Sequence, residues 1–109
     1  MQSNAFSNGI IYKIANISSL YQGIMITGIE TAHGNDSRIF IYRNPSGIHA
    51  KGNGFPGLSL KIDSNSNIYI GVVTGRAYGA RIEALGSNNI IPIVRVGTFP
   101  SGAEDIPFT

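Results

Sequence analysis

The stretch GLSLKIDSNSNIYIGVVTGRAYGARIEALG, from Gly57 to Gly86, decides the fold class. Its first run, Leu58 to Ile62, alternates apolar with polar residues, so its apolar side chains share one face of a strand. Two further runs, 68–74 and 77–85, are rich in β-branched residues or alternate apolar with charged positions. Short polar or glycine-containing turns separate the runs, and the pattern predicts a three-stranded antiparallel meander.

Further runs of this kind lie on both sides of the stretch. They are Ile10–Ile17, Leu20–Thr31, Arg38–Arg43, Ile48–Lys51 and Ile90–Val96. An apolar sheet face must be buried against a second layer. About seven strands separated by short turns therefore predict an all-β fold, a small antiparallel β-sandwich that is jelly-roll-like. Residues 1–9 are interpreted as a leading segment, and residues 97–109, with two prolines and no period, as an irregular C-terminal tail.

Individual residues refine this prediction at four places. Asn44-Pro45-Ser46-Gly47 has proline at the second position of a β-turn. Residues 32–37 contain glycine, asparagine and aspartate and predict a loop. On one predicted strand, Gly23 and Gly28 would permit a bulge or a close approach of two backbones. Pro92 has no N–H to donate, which indicates an edge strand or a bulge.

Composition restricts the class of protein. At 109 residues the chain predicts a single domain, and its charged fraction of 13% is about half of the usual ~25%. Low charge with many amide and hydroxyl side chains is typical of viral or extracellular structural proteins. A net charge of +2 spread over scattered basic residues argues against a nucleic-acid partner. No apolar run approaches the ~20 residues of a membrane helix, so no membrane insertion is expected.

Chemical motifs are weak. Gly52 to Gly57 matches G-x-G-x-x-G, but a strand follows where a dinucleotide site requires a helix. Asp63-x-Asn65-x-Asn67 begins like a calcium loop yet lacks the later glycine and glutamate, so a hairpin turn explains it better. Without cysteine, His33 and His49 do not form a recognisable metal set. We therefore expect no catalytic residue, no metal and no cofactor, although sequence alone leaves a pair of distant carboxylates open.

Aromatic side chains beside planar polar groups suggest sugar binding. Sugars stack their C–H faces on tyrosine or phenylalanine, and their hydroxyls hydrogen-bond to asparagine, arginine or histidine. One predicted ligand-binding cluster consists of Tyr42, Arg43, Asn44, His49, Asn53 and Phe55. A second consists of Arg76, Tyr78 and Asn88. The alternative is that these residues are solvated loop residues or core tyrosines.

Several strands also carry apolar residues on the face opposite the predicted core. They include Met25, Thr27 and Ile29, Phe40 and Tyr42, and Tyr69, Gly71 and Val73. A contiguous apolar set of this kind suggests a covered surface. The cover could be the same chain, or it could be another copy of the chain in a closed oligomer.

Three segments together resemble a known family. NGIIYKIANISSLYQGIMITGIE (8–30), RIFIYRNPSG (38–47) and LKIDSNSNIYIGVVTGRAYGARIEALG (60–86) are similar to the C-terminal head domain of bacteriophage tail fibres and tailspikes. In that family tryptophan is common where Tyr12 stands here. The resemblance implies a non-enzymatic homotrimer at the tip of a virion fibre, outside the host cell and joined to upstream fibre domains. It also implies binding of host surface polysaccharide or lipopolysaccharide through several weak sites acting together.

Three alternatives to a glycan-binding head stay open at this point. The domain could be a trimerisation or folding cap of a fibre without a glycan site of its own. It could be a stand-alone monomeric carbohydrate-binding module. A small glycan hydrolase would need two carboxylates within about 5 to 10 Å of each other.

Overall fold

A computed structural model describes residues 2–6, 10–16, 23–30, 35–52, 57–72, 78–84 and 91–109. These residues form ten strands and no helix: β1 Gln2–Phe6, β2 Ile11–Ile14, β3 Ile24–Glu30, β4 Asn35–Asn44, β5 Gly47–Gly52, β6 Leu58–Ile62, β7 Ile68–Val72, β8 Tyr78–Ala84, β9 Ile93–Val96 and β10 Glu104–Asp105. The strands pair in two five-stranded antiparallel sheets. Sheet A has the order β1-β8-β3-β4-β5, and sheet B has the order β10-β6-β7-β2-β9. The two sheets pack together, which confirms the predicted all-β sandwich.

The core between the sheets consists mainly of isoleucine. Alternate residues of a strand point to one face, so strands such as β3, β4, β6 and β7 supply core side chains at every second position. The largest fully buried side chains are Ile14, Ile24, Ile26, Ile39, Ile41, Ile68, Ile70, Val72 and Ile82. Full burial of such a side chain contributes about 1.5–3 kcal/mol, and β-branched residues suit the pleated surface. This alternation also determines which side chains are left to face outward.

The predicted three-stranded meander is wrong in its third strand. β6 and β7 pair as expected, with Leu60 opposite Ile70, but the other neighbour of β7 is β2. β8 lies in sheet A, between β1 and β3. Alternation specifies which face of a strand is buried, and either sheet of a sandwich satisfies that requirement. The pattern therefore located the strand without identifying its partner.

Three polar segments also differ from the prediction. The leading segment contains β1, which pairs with β8, and β4 begins at Asn35, inside the loop predicted over 32–37. The C-terminal tail contains β10, in which Asp105 pairs with Lys61 of β6. β1 and β10 are edge strands. Backbone hydrogen bonds attach such strands to the sheet and do not depend on the side chains, so their sequences show little apolar alternation. The position of β9 at the edge of sheet B confirms the interpretation of Pro92.

Two predicted backbone features near β4 are confirmed. Pro45 and Ser46 form the turn between β4 and β5, and the Ser46 N–H donates to Asn44 Oδ1 over 2.8 Å. Gly23, just before β3, has a φ of +97°, and a Cβ there would overlap the Ile41 carbonyl oxygen. Only glycine fits such a close approach. The turn and this contact fix β4 between its two neighbours.

Residues 97–109, here called the C-terminal segment, fold over sheet B. The Phe99 ring lies against Gly71 on the outer face of β7, with its Cζ 3.0 Å from where a Cβ of Gly71 would be. The Lys61 ammonium lies 5.5 Å from the centroid of that ring and 2.9 Å from Asp105 Oδ1. The segment thus passes from β9 on one edge of sheet B to β6 near the other.

The end of the C-terminal segment ties the two sheets together. The Ile106 N–H donates to the Leu60 carbonyl oxygen over 3.0 Å, and its side chain joins the core at 3% exposure. The Ala50 N–H of β5 donates to the Pro107 carbonyl oxygen over 2.9 Å. The Ala50 carbonyl oxygen accepts a hydrogen bond from the Thr109 N–H, also over 2.9 Å. One strand edge of sheet A is therefore covered by a segment that is also part of sheet B.

Candidate functional site

The outer face of sheet A carries a row of three rings, which we call the aromatic strip: Phe40 and Tyr42 on β4 and His49 on β5. The centroids of Phe40 and Tyr42 are 5.5 Å apart with an interplanar angle of 10°, within the range of offset stacking. The centroids of Tyr42 and His49 are 6.0 Å apart with an interplanar angle of 29°. All three side chains are partly exposed. The rings form one continuous surface open to solvent.

The local sequence accounts for this arrangement. Ile39 and Ile41 are fully buried on the inner face of β4, so Phe40 and Tyr42 point outward. The two-residue turn after Asn44 fixes the register of the hairpin and places His49 opposite Tyr42. β4 is hydrogen-bonded to strands on both sides, so the rings stand on a rigid backbone.

Lys51 adds a positive charge to the aromatic strip. It pairs with Phe40 across the hairpin, and its ammonium lies 5.5 Å from the Phe40 centroid and 5.4 Å from the Tyr42 centroid. Cation–π contacts at exposed sites contribute roughly 0.5–1 kcal/mol. These contacts hold the ammonium beside the rings. Because Lys51 is exposed, the ammonium remains accessible to a ligand.

Two hydrogen bonds orient the polar atoms of the strip. The Tyr42 hydroxyl and the Thr109 hydroxyl are 2.6 Å apart, so the C-terminal segment reaches this face as well. His49 Nδ1 lies 3.3 Å from the Gly47 carbonyl oxygen. A carbonyl oxygen only accepts, so His49 Nδ1 is the donor in this contact. The strip thus offers donors and an acceptor beside its ring faces.

The structure brings together part of the first predicted cluster. Tyr42 and His49 are cross-strand neighbours, while the Asn44 side chain accepts two hydrogen bonds from Ser46 in the turn. Arg43 is exposed, and because side chains alternate along a strand it points away from the face that carries Tyr42. Four predicted residues, Asn53, Phe55, Arg76 and Asn88, lie outside the described residues. Tyr78 is the first residue of β8, and its side chain lies outside the described part of the chain.

Phe40 and Lys51 belong to the site but were not among the predicted site residues. The sequence contains the signal that locates them. A two-residue turn at Pro45-Ser46 fixes every pair of the hairpin, and counting outward from it places Lys51 opposite Phe40. Phe40 alternates with Ile39 and Ile41, which identifies its face.

The hairpin turn between β6 and β7, at 63–67, contains a second group of polar side chains linked by hydrogen bonds. Asp63 Oδ1 accepts hydrogen bonds from the backbone N–H groups of Asn65 and Asn67 at 2.8 and 3.0 Å. Asp63 Oδ2 accepts from the Asn67 amide at 3.2 Å and from the Tyr69 hydroxyl at 3.0 Å. The carboxylate serves the turn, which confirms the hairpin interpretation over a calcium loop.

These contacts shift two pKa values in opposite directions. Burial acts to raise the pKa of Asp63, but the hydrogen bonds from Asn67, Asn65 and Tyr69 together outweigh it and hold the pKa below its usual value. Burial raises the pKa of Tyr69, and its hydrogen bond to the Asp63 carboxylate and the charge of that carboxylate raise it further. Both shifts reflect a structural cluster rather than an acid–base pair in a cleft.

Two features are absent from the described part of the chain. Among those residues, no group of three or more histidine, aspartate or glutamate side chains is placed to hold a metal ion. The same residues include no helix long and apolar enough to cross a membrane.

Comparisons with known proteins add no relative. No family model matches the chain, and no curated protein or solved structure gives a significant match.

Proposed function

We propose that the protein is a carbohydrate-binding domain whose aromatic strip binds a glycan of a host cell surface. The observation that carries this proposal is the stacked pair Phe40 and Tyr42, continued by His49, on an open sheet face. Flat apolar C–H faces of sugars pack against such rings, and the rings remain partly exposed for that contact. The Lys51 ammonium, the His49 imidazole and the Tyr42 hydroxyl supply hydrogen-bonding groups for sugar hydroxyls.

The setting of the strip favours binding without a large ordering cost. Its strands are part of a five-stranded sheet, and the residues between the rings are anchored in the core. A preformed surface of this kind loses little conformational freedom when a ligand binds. The surface is small, so the affinity of one site is expected to be weak.

The biological setting that we propose follows from the family resemblance. It is the tip of a bacteriophage tail fibre or tailspike, where the domain attaches the virion to host polysaccharide or lipopolysaccharide without cleaving it. Three copies in a homotrimer, joined to upstream fibre domains, would raise the effective concentration of each weak site for its neighbours. The small β-sandwich fold suits this role.

Binding to bacterial surface polysaccharides, measured by calorimetry or by NMR titration, tests the assignment of the site. Tyr42→Ala and Phe40→Ala are expected to weaken binding at least about tenfold, which corresponds to ~1.4 kcal/mol. Val94→Ala is the matched control, because Val94 is a 55% exposed apolar residue on β9 of the other sheet. Unchanged binding by both strip variants, with the fold intact by circular dichroism, would remove the strip from the binding site.

Light scattering on a sizing column tests the proposed assembly separately. The mass of three 11.6-kDa chains supports the fibre-tip setting. A monomer that still binds polysaccharide would leave the sugar-binding function and favour a stand-alone module. A trimer that binds none would favour the folding cap.

A further inference from the structure

Positive charge accompanies the aromatic strip across the outer face of sheet A. Arg38 on β4 and Arg81 on β8 both pair with Thr27 of β3, which places them in one row across three strands. The neighbouring residues Ile39 and Ile82 are buried on the inner face, so both arginines point outward. Both side chains are exposed.

This row lies directly beside the row that contains Phe40. In that second row Glu83, Met25, Phe40 and Lys51 follow one another across β8, β3, β4 and β5. Neighbouring strands are about 4.8 Å apart, and residues two apart along a strand are about 7 Å apart. Lys51 therefore lies beside Phe40, and Arg38 and Arg81 lie in the next row. One short oligosaccharide spans the distances between these three cations and the rings.

The charges of this face are unbalanced. Arg38, Lys51 and Arg81 contribute three positive charges, and among the described side chains of the face Glu83 contributes the one negative charge. Within the described part of the chain, the ion pair found is Lys61 with Asp105 on sheet B, and none of the three cations has a carboxylate partner. Among the described side chains, no carboxylate neutralises these three cations, and an anionic ligand would do so.

We infer that the glycan bound on this face is anionic, a polysaccharide whose sugars carry carboxylate or phosphate groups. The inference rests on the proposed function and specifies its ligand class. A neutral sugar laid on Phe40 and Tyr42 would replace the water at Lys51 with hydroxyl acceptors, which leave the ammonium without a counter-ion. An acidic sugar supplies a charged acceptor, so both partners of the hydrogen bond to Lys51 are ionised.

The inference assigns a division of labour to the residues. The rings of Phe40 and Tyr42 bind sugar faces whatever their charge, and Lys51 is placed to bind an acidic group of the same sugar. Arg38 and Arg81 are placed to bind acidic groups of other sugars of the same polysaccharide. A repeating acidic polysaccharide fits this arrangement better than a single charged residue at a chain end.

The test compares uronic-acid-containing bacterial polysaccharides with their carboxyl-reduced counterparts, which keep the sugar rings and lose the charge. The acidic forms are expected to bind at least about tenfold more tightly in roughly 50 mM salt, with the advantage shrinking as salt is raised to roughly 300 mM. Arg38→Gln is expected to weaken binding of the acidic forms severalfold and to leave the reduced forms unchanged. Lys51→Met also removes a donor to sugar hydroxyls, so it is expected to weaken binding of both forms and to weaken the acidic forms more. Arg95→Gln, an exposed arginine on β9, is the matched control.

The outcomes separate this inference from the proposed function. Equal binding of the acidic and reduced forms would overturn the anionic ligand class and leave sugar binding in place. Binding of no polysaccharide at all, acidic or reduced, would overturn both. Equal binding of a thymidine oligonucleotide and the acidic polysaccharides would identify a general polyanion surface, and would overturn the inference as well.

Discussion

The two outer faces of the sandwich both carry apolar side chains, but they differ in how far those side chains are buried. β7 of sheet B turns Tyr69 and Gly71 outward, and β4 of sheet A turns Phe40 and Tyr42 outward. On sheet B the C-terminal segment lies over these positions, and Tyr69 is 7% exposed. On sheet A the rings remain partly exposed, and the C-terminal segment reaches them at the Tyr42 hydroxyl, through Thr109. An apolar outward face in the sequence therefore does not show whether the same chain covers that face.

The difference between the faces lies in the shape of the central residues. Gly71 leaves a depression in sheet B that accommodates the Phe99 ring. Phe40 and Tyr42 instead carry rings on the outer face of sheet A and stack on each other. The covered face should therefore affect mainly the free energy of unfolding, and the open face mainly ligand binding.

The largest expected effect concerns the anchor of the C-terminal segment. Ile106→Ala is expected to lower the free energy of unfolding by about 2–5 kcal/mol, because it leaves a cavity in the shared core. Chemical denaturation measures this loss. Phe108→Ala is the control, since Phe108 is 51% exposed and surface substitutions usually change stability by less than ~0.5 kcal/mol. Equal effects of the two substitutions would mean that the segment is not part of the core.

The depression at Gly71 offers the next test of the covered face. A Cβ at this position would overlap Ile11 Cδ1 and approach Phe99 Cζ to 3.0 Å. Gly71→Ala is therefore expected to cost about 1–3 kcal/mol of stability through overpacking. Gly97→Ala, where a Cβ would have no neighbour within 4 Å, is the matched control.

A double-mutant cycle sharpens this result. Ile11→Val removes the methyl group that the new Cβ would overlap, so the pair Gly71→Ala and Ile11→Val should be more stable than the sum of the single effects predicts. Strict additivity would place the strain at Phe99 and not at Ile11.

The hairpin turn beside the covered face predicts a dependence on pH. The pKa of Asp63 is lower in the folded state, so its contribution to stability is complete above the unfolded pKa of about 3.9 and is lost as pH falls through the folded value. Denaturation at a series of pH values should show this loss. Asp63→Asn should reduce the slope of stability against pH below about pH 4. It should also cost about 1–3 kcal/mol at neutral pH, because the Asn67 amide and the Tyr69 hydroxyl lose the acceptor Oδ2. An unchanged slope in this variant would assign the acid sensitivity to other carboxylates.

The sequence was sufficient for the class of fold and for most strand positions. Alternation of apolar residues with Ser59 and Lys61 located β6, and the Pro45-Ser46 turn located the hairpin of β4 and β5. It was insufficient for strand partners, as β8 shows, because the same alternation fits either sheet. It also missed β10, because the strand is short, polar and at an edge, where backbone pairing replaces side-chain pattern.

The candidate site was predictable only in part. Tyr42 and His49 were identified from residue type, and the structure adds Phe40 and Lys51 through register. The contact between Tyr42 and Thr109 joins residues 67 positions apart and depends on the path of the whole C-terminal segment. No local pattern reports such a contact, because it arises only after the segment has crossed sheet B and passed Ala50.

The smallest expected effect is at this contact, where the segment that covers one face reaches the other. Tyr42→Phe removes the hydroxyl that lies 2.6 Å from Thr109 Oγ1 and keeps the ring. The bond is exposed, so its loss is expected to cost only about 0.5 kcal/mol of stability, at the low end for a hydrogen bond. Polysaccharide binding by Tyr42→Phe should stay within about threefold of the unsubstituted protein, against at least about tenfold weakening for Tyr42→Ala.

Two contrary results at this position would change the comparison in different ways. If Tyr42→Phe destabilised the fold as much as Ile106→Ala, the strip would be a structural contact of the C-terminal segment, and the open face would resemble the covered one. If it abolished binding with stability intact, the hydroxyl pair of Tyr42 and Thr109 would bind the sugar more strongly than the ring faces do. Because the ring and the hydroxyl are separated by this one substitution, stability and binding measured on the same variant decide between a stacking surface and a hydrogen-bonding one.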